Sequence, residues 1–196
     1  EPLPTAFPTP MSMPSAAPAA TVRSAMDILR QVSQSEATLR SGQLEATIAY
    51  GNGITSTASI TFDLGTQGSL ARLHMRSTYI TAQGTETVER ITIGAQNWQR
   101  RANGAWMVSA DQEGVWGQVQ SFLPHAAAVS QPVSTDDGNI DQLRWQDDAR
   151  DAEVTLKVQL ETGTPRELQR WVRRSNAVLR VRYVGWNTPV EISAPR

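Results

Sequence analysis

Residues 43–64 read QLEATIAYGNGITSTASITFDL, and the fold turns on this stretch. Leu44, Ala46, Ile48 and Tyr50 alternate with Gln43, Glu45, Thr47 and Ala49. After Gly51-Asn52-Gly53, Ile54, Ser56, Ala58, Ile60, Phe62 and Leu64 alternate with Thr55, Thr57, Ser59, Thr61 and Asp63. A period of two puts successive side chains on opposite faces, so each run predicts a strand with one buried face, and the glycine-flanked Asn turns the chain back. A second turn, Gly65 to Gly68, leads into Ala71, Leu73, Met75, Ser77 and Tyr79 at the same period. Three antiparallel strands in a meander follow from this pattern.

Downstream, strands are predicted at 86–94, 96–101 and 105–109, with Asn103-Gly104 as a hairpin turn. Over 112–123 the period changes: Val115, Trp116, Val119, Phe122 and Leu123 recur at helical spacing and Pro124 stops the run. Gly114 and Gly117 weaken such a helix by about 1 kcal/mol each relative to Ala, so it is marginal but strongly apolar. Strands resume near 139–147, with Leu143 and Trp145 on one face, and then with Val154, Leu156, Val158 and Leu160 alternating with Glu153, Thr155, Lys157 and Gln159. Leu179, Val181 and Tyr183 alternate with Arg180 and Arg182, and Val190 to Ile192 reads as a short last strand. Residues 164–174 admit two readings. Thr164-Pro165-Arg166-Glu167 matches a helix capping box with Pro in the first turn, whereas a strand would pair across Ser175-Asn176 with 178–184. The strand is favoured because its neighbours need a partner.

Upstream, Val22, Ala25, Met26, Leu29 and Val32 predict a helix over 22–36, capped by Thr21 and ended by Ser41-Gly42. Residues 1–20 carry Pro2, Pro4, Pro8, Pro10, Pro14 and Pro18, which exclude helix and ladder alike and predict an extended, polyproline-like spacer of ~3 Å per residue. The organisation expected is therefore a tether, 1–20, and one domain, 21–196. The chain starts at Glu1, which reads as a processed start with any signal peptide removed. The natural anchor is a lipid-modified cysteine just upstream; the alternative is a tail with no anchor.

A chain of 196 residues with 39% hydrophobic content can bury a substantial core. No run approaches the ~18–20 apolar residues of a spanning helix. The net charge of −1 gives no support for nucleic-acid binding. Lys157 is the only lysine, a bias that genome composition or a use for bidentate anion contacts would each produce. With no cysteine, disulfides, thiolate zinc sites and thiol nucleophiles are excluded.

The candidates for chemistry are few. His74 lies on the Arg72/Arg76 face of a strand, which reads as solvated, and His125 has no acidic or nucleophilic neighbour in sequence. Asp136-Asp137-Gly138 and Asp147-Asp148 with Asp151 do not reproduce a calcium loop and read as turns. No phosphate loop is present, and the sequence offers no catalytic constellation, metal site or cofactor site. Arginines 166, 170, 173, 174, 180 and 182 form the densest charge cluster, either an anionic-partner surface or a solvated sheet face. The six tryptophans either line a cavity between sheet and helix or fill a core, and composition alone favours the core.

Ile93-Gly94 through Trp98, Asn103-Gly-Ala-Trp106 and the ending from Tyr183 to Pro195, in this order of elements, resemble the LolA-like lipoprotein-carrier superfamily, most of all its LppX/LprG-type tethered bacterial lipoproteins. The resemblance spans about residues 20–195. It implies an α+β fold: a highly curved antiparallel sheet, an unclosed half-barrel, with two or three helices over its concave face. It also implies a non-enzymatic, extracytoplasmic carrier of lipid or lipoprotein acyl chains, tethered to a membrane, with a possible envelope protein partner. The apolar cavity would then be lined by Leu44, Ile48, Ile60, Phe62, Leu73 and Met75 from the strands, and by Val115, Trp116, Val119 and Phe122 from the 112–123 segment. An accessory or sensor subunit with a filled cavity is the alternative.

Overall fold

The structure, a computed structural model, describes residues 23–66, 68–110, 113–129, 132–136, 140–159 and 161–195. The expected tether 1–20, the cap Thr21, and Asp137-Gly138 and Leu160 lie outside the described residues.

Helix α1 runs Ala25–Ala37. Its cap is Ser24, not Thr21: the Ser24 hydroxyl accepts the Asp27 N–H at 3.2 Å and donates to the Asp27 carboxylate at 2.7 Å. This satisfies one of the free N–H groups of the first turn and places a negative charge at the positive end of the helix. Ile28, Leu29 and Val32 form its buried stripe. The helix ends where the Thr38 hydroxyl bonds back to the Gln34 and Ser35 carbonyls. Ser41-Gly42, expected as a stop, instead opens the first strand.

Among the described residues eleven strands follow: β1 Ser41–Ala49, β2 Thr55–Asp63, β3 Arg72–Thr81, β4 Gly84–Ile93, β5 Gln96–Arg101, β6 Met107–Val108, β7 Val133–Asp136, β8 Ile140–Asp147, β9 Ala152–Gln159, β10 Thr164–Val172 and β11 Ala177–Trp186. They form one antiparallel sheet in the order β6-β5-β4-β3-β2-β1-β11-β10-β9-β8-β7, with β6 and β7 as its two free edges. The sheet is unclosed, as expected. Gly53, at φ 83°, makes the β1–β2 turn, with the Gly53 N–H on the Tyr50 carbonyl. Residues 164–172 are strand because β9 and β11 both pair with them, and a bulge at Pro165–Glu167 absorbs the missing proline donor. The expected strand 190–192 is absent; instead Ile192 is buried and its carbonyl takes a hydrogen bond from Arg72 Nη1 at 3.0 Å.

The expected helix 112–123 is shorter. Helix α2 spans Val115–Gln120, and Phe122 and Leu123 follow as turn. Two short 3₁₀ turns, Ala126–Ala128 and Asp148–Arg150, complete the helical content of the described residues. Among the described residues only α1 exceeds two turns, so the expectation of two or three covering helices reduces there to one long helix and a six-residue one. The two glycines predicted to weaken the 112–123 segment explain the truncation: Gly114 becomes the cap and Gly117 sits mid-helix.

One hydrophobic core joins α1 and α2 to the inner face of the sheet, from Leu73 on β3 to Leu143 on β8. Those strands lie six places apart, ~29 Å on a flat sheet. A helix of ~20 Å bridges them only because the sheet wraps around it. Gly163, at φ 66°, lets the β9–β10 turn lie against α1: a Cβ there would come within 2.7 Å of Gln31 Cβ.

Candidate functional site

Register sets up a trough on the inner face. Ala46 pairs with Ala58, and Ala58 with Ser77, so three adjacent strands carry small side chains in one row. One neighbouring row is Leu44, Ile60, Met75 and Arg90; the other is Ile48, Ser56 and Tyr79. Apart from Ser56, larger residues flank the small row on either side and leave a groove that runs across the strands rather than along them. Glu113, Gln118, Ser121 and Phe122 cover it, and Tyr50 also lines it, giving a cavity volume of about 240 Å³.

The covering segment is held by polar bonds at both ends. Over β4, Gln118 Nε2 donates to Thr92 Oγ1 at 3.3 Å and to the Glu113 carbonyl at 2.8 Å, while Arg90 Nη1 donates to Gln118 Oε1 at 3.4 Å. Thr92 in turn donates to Asn97 Oδ1 at 2.5 Å. Over β10 and β11, Arg170 donates to the Ser121 and Leu123 carbonyls, both at 3.2 Å, and the Tyr183 hydroxyl donates to the Phe122 carbonyl at 2.6 Å. Beyond Pro124 the Glu36 carboxylate accepts the His125 and Ala126 N–H groups, both at 2.9 Å, and His125 adopts a left-handed φ of 58°.

Burial governs the titration of these groups. It pushes the Tyr183 hydroxyl well above its ordinary range and raises the Glu36 carboxyl. It lowers His125, with the Arg150 and Arg170 charges adding to the effect. Arg170, with 6% of its surface exposed, is likewise lowered by burial; its partners are carbonyls rather than a carboxylate.

The ten residues expected to line a cavity divide. Ile48, Met75 and Phe122 line the trough. Leu44, Ile60, Phe62 and Leu73, with Val115 and Val119 of α2, are buried in the core. Trp116 faces away, 49% exposed, beside a second hollow of about 320 Å³ formed with Glu36, Leu123, His125, Ala127 and Ala128. The sequence reading missed Ala46, Ser56, Ala58 and Ser77 by selecting the largest inward side chains, when a cavity is made where inward side chains are small. Their inward positions were legible in the alternation. Arg90 and Gln118 carried no such signal, because their pairing depends on where α2 crosses β4.

The other candidates resolve differently from a sequence list. His74 points outward as expected, but Nε2 lies 2.7 Å from the Glu89 carboxylate, which Arg100 also holds. Burial raises Glu89, and these two partners outweigh it, leaving the carboxyl below its ordinary value. The arginines do not act as one cluster: Arg170 turns inward, Arg182 pairs with Glu45, Arg173 bonds to Gln146 and Arg166 to Gln159. Asp147 accepts the Arg150 N–H and pairs with its guanidinium, a turn as expected. Among the tryptophans only Trp145 is fully in the core; Trp106 lies under the Arg100 guanidinium and Trp186 packs edge-on against Tyr183. Among the described residues no three His, Asp or Glu side chains gather as metal ligands, and no helix is long and apolar enough to cross a membrane.

No family model matches the chain, and no curated protein sequence matches it. Solved structures similar to it include a complex of MucA and MucB from Pseudomonas aeruginosa, at 17% identity and a TM-score of 0.42 over 86% of this chain and 58% of that one. The chain thus spans less than two thirds of the MucB length. A LolA superfamily protein from Nitrosomonas europaea is similar at 12% identity and a TM-score of 0.31, over 87% of this chain and 96% of that one. An outer membrane lipoprotein-sorting protein domain from Vibrio parahaemolyticus is similar at 9% identity and 0.32, over 83% and 93%. What the site does is argued from its own geometry.

Proposed function

We propose that this chain is a non-catalytic binder or carrier that holds one apolar chain, such as the acyl chain of a lipid or lipoprotein, in the trough between strands β1–β4 and the α2 segment. The observation that carries the reading is the row Ala46, Ala58 and Ser77, small side chains on three adjacent strands beneath a short helix. Packing is normally tight enough that a row of missing side-chain volume is filled from the facing element, and here the facing element leaves it open. Entry is by movement of the 113–123 segment, whose six-residue helix carries little stability of its own. The sequence resemblance and the proline-rich stretch 1–20 support a place outside the cytoplasm on a membrane tether.

The test is native mass spectrometry of detergent-free protein together with uptake of a fluorescent fatty acid, on wild type and Ala58→Trp. Co-purifying or acquired alkyl ligand that the tryptophan excludes is the expected result. No uptake by the wild type, or unchanged uptake by a folded Ala58→Trp, sinks the reading.

A second reading, an interaction module in a membrane-associated complex, is favoured by the edge strand β6, where Met107 and Val108 are 62% and 80% exposed beside unpaired backbone groups. It predicts a stable protein partner that Val108→Lys removes while alkyl uptake is unchanged.

A further inference from the structure

We infer that Ser56 and Ser77 form a polar subsite inside the trough, where their hydroxyls take the carbonyl of an uncharged ester or amide carried on the bound chain. The inference rests on the binding function proposed above and names the class of ligand.

Both serines face inward from adjacent strands, Ser56 on β2 and Ser77 on β3, and both line the trough. They are 7% and 5% exposed. Among the described residues neither hydroxyl has a hydrogen-bond partner. Buried hydroxyls are nearly always paired, because one left unpaired away from water costs free energy. Two in one hollow call for an acceptor from outside the fold.

Strand register sets their spacing. Ser56 pairs with Tyr79 and Ser77 with Ala58, so the serines are diagonal neighbours. Their Cβ atoms are then about 7 Å apart. An acceptor oxygen lies about 3.5 Å from the Cβ of the serine that donates to it, so one oxygen between the two can accept from both. A carbonyl oxygen, with two lone pairs, suits this double donation. Along β3, Met75 lies two residues to one side of Ser77 and the exposed Tyr79 two residues to the other. The alkyl part of the ligand therefore sits by Ala46, Ala58 and Met75, and its remainder leaves past Tyr50 and Tyr79.

The charges that border the trough favour an uncharged group. Arg90 and Glu113 are of opposite sign, and both are engaged in interactions of their own, so neither is a free counter-ion for a charged ligand.

The experiment measures affinities of ethyl octanoate and ethyl octyl ether, which differ only at the carbonyl, by equilibrium dialysis against the full chain. Expected in the wild type is the ester bound about tenfold tighter than the ether. Ser56→Ala combined with Ser77→Ala should bring the ester down to the level of the ether and leave the ether unchanged. Each single variant should lose about threefold of the preference. Infrared spectra of carbonyl-labelled ethyl octanoate give a second readout: its C=O band should lie lower when bound to the wild type than when bound to the double variant. Equal affinities for ester and ether in the wild type overturn the subsite and leave the binding function standing. A preference or a lowered band that survives in the folded double variant overturns it too. Should the double variant fail to fold, the single variants decide, and a full preference in both overturns the subsite. No binding of either compound overturns the binding function itself.

Discussion

Arg170 and Leu123 lie 47 residues apart, yet the guanidinium of one donates to the carbonyl of the other at 3.2 Å. With Ser121 held by the same side chain and Phe122 by Tyr183, three successive carbonyls at the end of α2 are fixed from the sheet. A six-residue helix is too short to persist alone, so its position depends on these bonds and on Val115 and Val119 in the core.

Replacing Arg170 by Met separates local from global stability. Among the described residues the hydrogen-bond partners of the buried cation are carbonyls, with Asp147 acting on it only through its charge, so removing it relieves a desolvation cost that offsets the two lost bonds. Global stability should change by less than about 1–2 kcal/mol. Amide exchange over 115–123 should nonetheless rise at least about tenfold while α1 and β8–β11 keep their protection. Unchanged exchange in α2 contradicts the holding role.

Gly163→Ala should destabilise by roughly 1–3 kcal/mol, measured by urea unfolding, because alanine is strained at φ 66° and its Cβ meets the Gln31 backbone and Cβ at 2.7–3.1 Å. Gly53→Ala, with a similar φ of 83° but open space around it, should cost less.

The protein should lose stability through His125 over the pH range that opens about one unit above 6.5 and runs down to its depressed folded value. Its folded value is depressed below 6.5 by burial and by Arg150 and Arg170. The unfolded chain therefore takes up the proton first, and stability present above 6.5 falls as the pH drops toward the folded value. Glu36 works in the opposite sense. Its folded value is raised above 4.5, so protonation relieves the folded state, at lower pH. His125→Asn, a residue that tolerates the left-handed backbone, should flatten the fall in Tm over the upper part of that range. A fall of the same size in the variant assigns it to another group.

Leu156→Ala should cost about 2–5 kcal/mol, since that side chain is fully buried among α1 and the sheet, whereas Trp116→Ala should cost less than about 1 kcal/mol. Thermal melts of the two variants decide whether the tryptophan is structural.

The strands were legible in the sequence because their burial is one-sided and alternating. Leu44 and Ala46, Ile60 and Phe62, and Val154 to Val158 are inward as their period requires. The 164–172 segment was legible only through its neighbours, since its local signals favour a helix start and pairing with β9 and β11 overrode them. What could not be read was distance across the fold. Nothing local shows that Glu36 meets His125 or that Arg170 is inward while Arg166 and Arg174 are not. The cavity was misjudged for a related reason: Leu44 and Phe62 were assigned to its lining, yet both are buried in the core, and the hollow opens instead along the smaller Ala46, Ala58 and Ser77.

The strand order has a kinetic consequence. β1 to β6 form one run of neighbour-to-neighbour hairpins, and β7 to β11 are likewise neighbours in order, so every pairing but one joins strands adjacent in sequence. The exception is β1 with β11, where the Ser41 hydroxyl meets the Thr188 carbonyl 147 residues on. Hairpins close quickly, but closing so long a loop is a slow, entropically opposed event. Neither half buries α1 alone, because the core draws on both. The halves should therefore pair late and together, and the rate at which this protein refolds should be set at that single central joint.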